Sequence, residues 1–360
     1  MDRTLLVTGG AGFIGSNFVL SWLARGNGRV VNLDKLTYAG NLQNLQSLEG
    51  NEKHVFVRGD INDRALVASL LQKYRPDAVV HFAAESHVDR SIVGPDDFIR
   101  TNVFGTFNLL EEVRTYIKSS GDSRGFRFLH ISTDEVYGSL APQAPRFCET
   151  TAYAPNSPYS ASKAAADHLV RAYHETYGVP TLTTNCSNNY GPFQFPEKLI
   201  PFMLCQALAG EPMPIYGDGQ NVRDWLYVED HCEALIQVLL GGRVGATYNV
   251  GGNNEMTNVE VVEKLCRILD EVRPDRGGSS YSRLITFVKD RPGHDRRYAV
   301  DASRLKDELG WIPKESFDSG LRKTVQWYLD HPEWIAAVKS GSYREWVALN
   351  YGKREIQCEA

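Results

Sequence analysis

The chain has 360 residues, a hydrophobic fraction of 42%, a charged fraction of 23% and a formal net charge of −5. These values describe a globular protein with a sizeable core, either one large domain or two fused units. Charges of both signs are mixed without long runs and no apolar stretch is long enough to cross a bilayer, which argues against nucleic acid or a membrane as partner.

Met1-Asp2-Arg3 leads straight into a glycine-punctuated strand pattern without the features of a signal peptide, so a cytoplasmic location is expected. The six cysteines (Cys148, Cys186, Cys205, Cys232, Cys266 and Cys358) form no Cys-x-x-Cys pair. The nine histidines show no His-x-x-x-His spacing. Inert reduced thiols and no metal are the expectation.

In chain order, strand-like runs at Thr4–Thr8, Arg29–Leu33, His54–Val57, Ala78–Phe82, Phe126–Ser132 and Thr181–Asn185 alternate with helical patterns. The helices are Phe13–Arg25, Arg64–Tyr74, Phe98–Lys118 and Pro158–Tyr177. This alternation predicts an α/β fold, a doubly wound parallel sheet of Rossmann type covered on both faces. After Gly191 the alternation breaks down. Leu199–Leu208, Val259–Asp270 and Phe317–Leu329 read as helices, with short strands and turns such as Gly217-Asp218-Gly219 between them. The division predicted is a dinucleotide-binding domain over 1–190 and, over 191–360, mainly a smaller mixed α/β substrate lobe, with some later chain returning to the first.

The opening TLLVTGGAGFIGSNFV places Gly9, Gly10, Gly12 and Gly15 between a strand and a helix. Glycines there allow a tight turn, let backbone amides approach a pyrophosphate and bring helix close to strand; the helix N-terminus then faces the phosphates. Asp34 ends the second strand, 19 residues after Gly15. A carboxylate in that place accepts from ribose hydroxyls and repels a 2′-phosphate, which selects NAD over NADP; the neighbouring Lys35 is a counter-signal. Asp60-Ile61 after the third strand and Phe82-Ala83-Ala84 after the fourth stand at the same carboxyl edge.

The strand Phe126–Ser132 runs into Thr133-Asp134-Glu135, and the helix SPYSASKAAADHL puts Tyr159 and Lys163 one turn apart on one face. An ammonium beside a phenol stabilises the phenolate, so Tyr159 reads as a base and Lys163 as its partner and as a holder of ribose hydroxyls. Tyr-x-x-x-Lys alone is usually a solvated helix face, and Asp-Glu after a strand is usually a solvated turn. Their co-occurrence with the glycine turn gives both a functional reading.

Here the chain resembles the extended short-chain dehydrogenase/reductase family of nucleotide-sugar epimerases and dehydratases. The resemblance runs over essentially the whole sequence, through TGGAGFIG, AAESHVDRS, ISTDEVYG, YSASK, NCSNNYGPFQFPEKLIP, RDWLYVEDH and RPGHDRRY. Within the family it is most similar to the branch that dehydrates dTDP-glucose. Epimerases of the family lack the Asp134-Glu135 pair, and GDP-mannose dehydratases and UDP-glucuronate decarboxylases typically carry Ser in place of the Asp. The resemblance implies a lyase with tightly held NAD that is regenerated each turnover, working in deoxysugar biosynthesis, of which dTDP-rhamnose is one example.

Oxidation at C4 makes the C5 proton acidic, so a carboxylate can remove it while a carboxylic acid protonates the departing C6 hydroxyl. By resemblance Glu135 is that base, Asp134 that acid, Tyr159 takes the O4 proton and Thr133 hydrogen-bonds O4. The resemblance also implies cofactor contacts for Phe13, Ile14, Lys35, Leu36, Thr37, Ser86, Thr101 and Asn188. Substrate contacts are implied for Ser86, Asn188, Asn189, Lys198, Leu199, Pro214, Tyr216, Arg223, Asn258, Arg291 and His294, with Tyr351 at the base. His87 reads as structural. Related enzymes pair the helices equivalent to Phe98–Lys118 and Pro158–Tyr177 into a four-helix bundle, which implies a homodimer. The alternatives are a UDP-glucose 4,6-dehydratase, a nucleotide-sugar 4-epimerase, and a dinucleotide sensor without chemistry, the last disfavoured by the intact Thr133, Tyr159 and Lys163 set. Asp34 predicts that the nucleotide released on denaturing the purified protein is NAD, to be read by mass spectrometry; NADP as the main species would contradict the reading of Asp34.

Overall fold

The structure, a computed structural model, describes residues 3–120, 125–275 and 277–339; Tyr351 and Cys358 lie outside the described residues. The first six strands are β1 (Arg3–Thr8), β2 (Gly28–Asp34), β3 (His54–Arg58), β4 (Ala78–His81), β5 (Arg127–Thr133) and β6 (Thr181–Cys186). The second half adds β7 (Asn188–Tyr190), β8 (Met213–Tyr216), β9 (Val222–Tyr227), β10 (Thr247–Val250), β11 (Glu255–Thr257) and β12 (Ile285–Val288). The main sheet has seven strands in the order β10-β6-β5-β4-β1-β2-β3. Every pair in it is parallel. The order reverses direction between β1 and β4, so ligand groups collect above the carboxyl ends of those strands.

The helices of the first half are α1 (Phe13–Ala24), α2 (Arg64–Tyr74), α3 (Val88–Val93), α4 (Asp96–Phe98), α5 (Thr106–Ser120) and α6 (Pro158–Tyr177). Those of the second are α7 (Leu199–Ala209), α8 (Val228–Gly241), α9 (Asn258–Val272), α10 (Ser303–Leu309), α11 (Phe317–Asp330) and α12 (Pro332–Val338). Because strand side chains alternate, Leu5 and Val7 join a core with Phe18 and Trp22 of α1 and Leu235 and Leu239 of α8, while Leu6 joins Leu70, Leu109 and Val170 of α2, α5 and α6 on the other face. A separate core of Tyr190, Trp225, Leu265, Leu321, Tyr328 and Trp334 holds the second lobe together.

Two features depart from the sequence reading. The helix read over Phe98–Lys118 is interrupted by a π-helical stretch, Ile99–Gly105. The wider turn lets Asn102 leave the regular helix surface: its amide donates to the Glu85 carbonyl (3.0 Å) and the Ser162 hydroxyl (2.8 Å), and its carbonyl oxygen accepts from the Glu85 amide (2.9 Å). The second is α8 with β10, which the sequence reading left out. The α8 sequence VEDHCEALIQVLLG spaces Glu229, Glu233 and Gln237 four residues apart along its outer face and buries Ala234, Leu235, Val238 and Leu239 with α1, α10 and the main sheet.

The lobes meet through buried polar contacts. The Trp334 indole donates to Asn44 Oδ1 (2.7 Å), and the Asn44 amide donates to the Ala11 carbonyl in the glycine turn (3.0 Å). Asn17 donates to the carbonyl of Pro192 (3.0 Å), which holds the segment 192–198 over the edge of the sheet.

Candidate active site

A cavity of about 290 Å³ opens above the carboxyl ends of the strands. At one end lies the glycine turn. Gly9 has φ +71°, and a Cβ there would stand 2.5 Å from the Ala83 nitrogen; one at Gly15 would stand 2.2 Å from the Gly9 carbonyl oxygen. Gly12 starts α1 with no side-chain cap and no acid in the first turn, so the first amides of the helix face the cavity uncapped. Asp34 accepts from the Ala11 amide (2.9 Å) and the Leu36 amide (2.8 Å), and burial pushes its carboxyl up from the ordinary range. Lys35 is bound to Asp60 at 2.7 Å, which takes up the cation that spoke for a phosphorylated ribose. A cradle that side chains would fill, uncapped amides and a carboxylate at the second strand fit a dinucleotide with a free ribose.

At the other end lie the catalytic candidates. Thr133 ends β5 and caps the short turn Asp134–Tyr137, its hydroxyl accepting from the Glu135 amide (3.3 Å) and donating to Asp134 Oδ1 (3.3 Å). The start of α6 is fixed by Pro158 and by a capping box in which Ser157 and Ser160 each accept from the other's amide, at 3.1 and 3.0 Å. That start places Tyr159 in the first turn and Lys163 one turn later, both buried, with Lys163 Nζ donating to the Ile131 carbonyl at 2.8 Å.

The two acids differ in proton affinity. Asp134 is 1% exposed, and burial, then the charges of Glu135 and Asp224, drive its carboxyl well above the usual range. Burial raises Glu135 too, but Arg291, Lys198 and Arg223 oppose it. Asp134 therefore holds its proton more tightly than Glu135, the ordering an elimination needs. Tyr159 lies between these acids and Lys163. Burial and the nearby Glu135 push its phenol well above its usual range, with Thr133's hydrogen bond opposing, while Lys163 spends its proton on Ile131. Burial is the larger of the two causes, and the charge of Glu135 adds to it.

The second lobe supplies the cations. Arg223 lies over the Tyr298 ring (4.4 Å) and donates to the Asp295 carbonyl (2.9 Å). Arg291 binds Asp89 of α3 at 2.8 Å, and Tyr216 donates to the same carboxylate (3.1 Å). Lys198 donates to the Ser86 carbonyl (2.9 Å), and His294 meets Asp290 at 2.7 Å. Asp134 Oδ2, Asn188 Oδ1 and Arg291 Nε are buried without a partner among the described residues, which marks where a polar ligand would be received.

A family model described as GDP-mannose 4,6 dehydratase matches residues 6–324. A dTDP-glucose 4,6-dehydratase of Xanthomonas campestris pv. campestris (strain B100) is 65% identical over 343 residues, 95% of this chain and 97% of the relative. The chain belongs to the dTDP-glucose 4,6-dehydratase family. Two solved structures of this family share its fold: the enzyme from Bacillus anthracis str. Ames in complex with NAD (TM-score 0.83, 47% identity, 94% of this chain and 100% of that one) and the enzyme from Streptomyces venezuelae with NAD bound (TM-score 0.85, 46% identity, 93% and 100%). NAD is thus the cofactor of the dehydratase, matching the cradle.

Most of the residues singled out from sequence line this one cavity: Gly9, Gly12–Gly15, Asp34, Lys35, Thr37, Asp60, Ile61, Phe82–Ala84, Ser86, Thr101, Thr133–Glu135, Tyr159, Lys163, Asn188, Asn189 and Lys198. Leu36, Leu199, Pro214, Tyr216, Arg223, Asn258, Arg291 and His294 are outside its wall. Of these, Pro214 sits within β8, paired with Thr286, while Arg223 and Arg291 act on Glu135 through their charge. Sequence reasoning missed Asp89, the partner of Arg291, although it lies inside the quoted AAESHVDRS. It also missed Arg90, which binds Glu197 of the cavity wall (3.1 Å) and covers the Tyr38 ring (3.8 Å).

A carboxyl whose proton affinity rises on folding lowers stability above its unfolded pKa of about 3.9, and that deficit disappears below it. Asp134→Asn is therefore expected to raise the melting temperature at neutral pH, the gain vanishing as the pH falls below about 4. A gain equal at pH 7 and pH 3.5 would show that Asp134 carries no raised proton affinity.

Proposed function

We propose that this dehydratase converts dTDP-glucose to dTDP-4-keto-6-deoxyglucose and water. What carries the reading is the pair Asp134 and Glu135, split in proton affinity and set beside Tyr159 and Lys163 at the mouth of an NAD cradle. When bound, NAD supplies the hydride acceptor and donor, and a positively charged ring that favours the phenolate of Tyr159. Thr133 hydrogen-bonds O4 and Tyr159 takes its proton as C4 becomes a ketone. Glu135 then removes the proton from C5, and Asp134 gives its proton to the departing C6 hydroxyl. The hydrogen removed from C4 ends on C6, and Glu135 returns a proton to C5. Arg223, Arg291 and Lys198 hold the diphosphate, for which guanidinium groups offer paired donors. An epimerase needs no acid–base pair of this kind, so Asp134 and Glu135 disfavour that alternative.

The protein acts as a homodimer. Ile99 and Phe104 on the π-helical stretch and Tyr177 at the end of α6 are 43%, 56% and 49% exposed, beside the two helices that related enzymes pair. A cytoplasmic location is part of this reading; no described helix is long and apolar enough to span a membrane. Light scattering should return twice the chain mass of 40.3 kDa; a monomer at micromolar concentration would refute the dimer.

The decisive test follows one hydrogen. Substrate deuterated at C4 is expected to give product labelled in its C6 methyl group, while C5 takes hydrogen from solvent. Label kept at C4 would indicate an epimerase, and label lost to free cofactor a simple dehydrogenase. With the same substrate Tyr159→Phe should slow C4 oxidation, and Asp134→Asn and Glu135→Gln the loss of water, each by about 10²–10⁴-fold.

A further inference from the structure

Two guanidinium groups of the second lobe serve the site, and they are held in different ways. Arg291 is ion-paired with Asp89. Arg223 is 5% exposed and has no ion pair among the described residues. It donates to the carbonyls of Val222 (2.8 Å) and Asp295 (2.9 Å) and lies over the Tyr298 ring (4.4 Å). All of these supports are neutral. A buried cation without a carboxylate at contact distance keeps its charge for an arriving anion, and its place depends on the neutral groups that hold it.

Two of the three supports are joined by a side chain. The Tyr298 hydroxyl donates to Asp295 Oδ2, which closes a ring of contacts. The guanidinium meets the Asp295 carbonyl, the Asp295 carboxylate meets the Tyr298 hydroxyl, and the Tyr298 ring meets the guanidinium. The other carboxylate oxygen, Oδ1, accepts from the Asn156 side-chain amide (2.7 Å). Asn156 stands directly before Ser157, the cap of α6, so the ring is braced by the segment that leads into Tyr159. Because two donors use two separate oxygens, an asparagine could not replace the aspartate here.

The backbone around this ring is fixed independently. The Val222 amide donates to the Arg296 carbonyl (2.8 Å), and the Tyr298 amide donates to the Val222 carbonyl (3.1 Å). The Asp295 carbonyl also accepts from the Asn221 side-chain amide (3.2 Å). Backbone pairing holds the chain beside β9 but does not choose a rotamer for Tyr298; the bond from its hydroxyl to Asp295 does. Asp295 and Tyr298 are buried and stand outside the cavity wall, so their effect on a ligand must pass through a neighbour.

We infer that Asp295 is a positioning residue that acts through Arg223: by tying the Tyr298 ring to its own carbonyl, it presets the guanidinium for the diphosphate of the nucleotide sugar. The inference rests on the diphosphate role given to Arg223 above. A guanidinium already held in place loses less freedom when the anion binds, so the affinity gained belongs to ligands that carry the diphosphate.

The test is the binding of dTDP and of thymidine to the NAD-loaded protein, the first by calorimetry and the second by ligand-observed NMR. Arg223→Met should weaken dTDP about a hundredfold and leave thymidine unchanged. Tyr298→Phe removes the hydroxyl and keeps the ring; it should weaken dTDP by about three- to tenfold. Asp295→Ala should weaken dTDP at least as much, with thymidine unchanged in both variants. In protein already carrying Arg223→Met, Tyr298→Phe should have no further effect, because its action runs through the guanidinium. A loss for dTDP that persists in that background, or an equal loss for thymidine, would reduce Asp295 to a packing role and overturn the inference. Unchanged dTDP affinity in Tyr298→Phe would overturn it too, and this variant decides alone should Asp295→Ala not fold, since it removes a single oxygen. If Arg223→Met itself leaves dTDP affinity intact, the diphosphate reading of Arg223 fails and the inference falls with it.

Discussion

The hydrogen bond of 2.8 Å from Lys163 to the Ile131 carbonyl pins α6 to β5, and the catalytic groups are placed relative to it. The strand ends at Thr133 and hands on to the turn that carries Asp134 and Glu135; the helix carries Tyr159 in its first turn. Two independent devices set where they meet. The capping box of Ser157 and Ser160 fixes the first turn of α6, and the register of β5 with β6, Ser132 opposite Asn185, fixes how far the strand carries its polar end beyond the sheet. A helix begun one residue later would turn Tyr159 away by about 100°, since each residue advances the helix by that angle.

What makes this geometry chemical is low dielectric. Asp134, Lys163 and Arg223 are each 5% exposed or less, so each feels its neighbours' charges more strongly than it would in water. The two acids are adjacent in sequence and share the short turn that follows β5, yet their environments are unequal, because the cations arrive from the second lobe and act on Glu135 more than on Asp134. The split between acid and base is thus a property of the docked lobes. The contacts that dock them, Trp334 to Asn44, Asn17 to Pro192, and Arg291 to Asp89, therefore bear on catalysis although none touches a reacting atom.

Much of this was legible in the chain. The glycine turn, Asp34, the Tyr159 and Lys163 pair and the strands β1 to β6 are encoded over short stretches, by backbone freedom, strand alternation and helical spacing, and each survives in the structure within a residue or two of where the sequence puts it. The return of α8 to the main sheet was not legible, because its partners there, Phe18 and Trp22 of α1 and Leu305 of α10, are distant in sequence and meet it only on folding. Nor was the π-helical stretch at Ile99–Gly105, whose cause is the engagement of Asn102 by Glu85 and Ser162, residues 17 and 60 positions away.

The sequence by itself determined which chemical groups are present and which of them are neighbours along one strand or one helix. Only the tertiary structure decided their proton affinities. Lys163 shares a helical face with Tyr159, but that proximity did not lower the phenol, because burial and Glu135 outweigh it and the ammonium is turned to Ile131. Asp89 and Arg291 stand 202 residues apart and meet at 2.8 Å. A proton affinity reports desolvation and the charges nearby in space, and both are set when distant segments pack together.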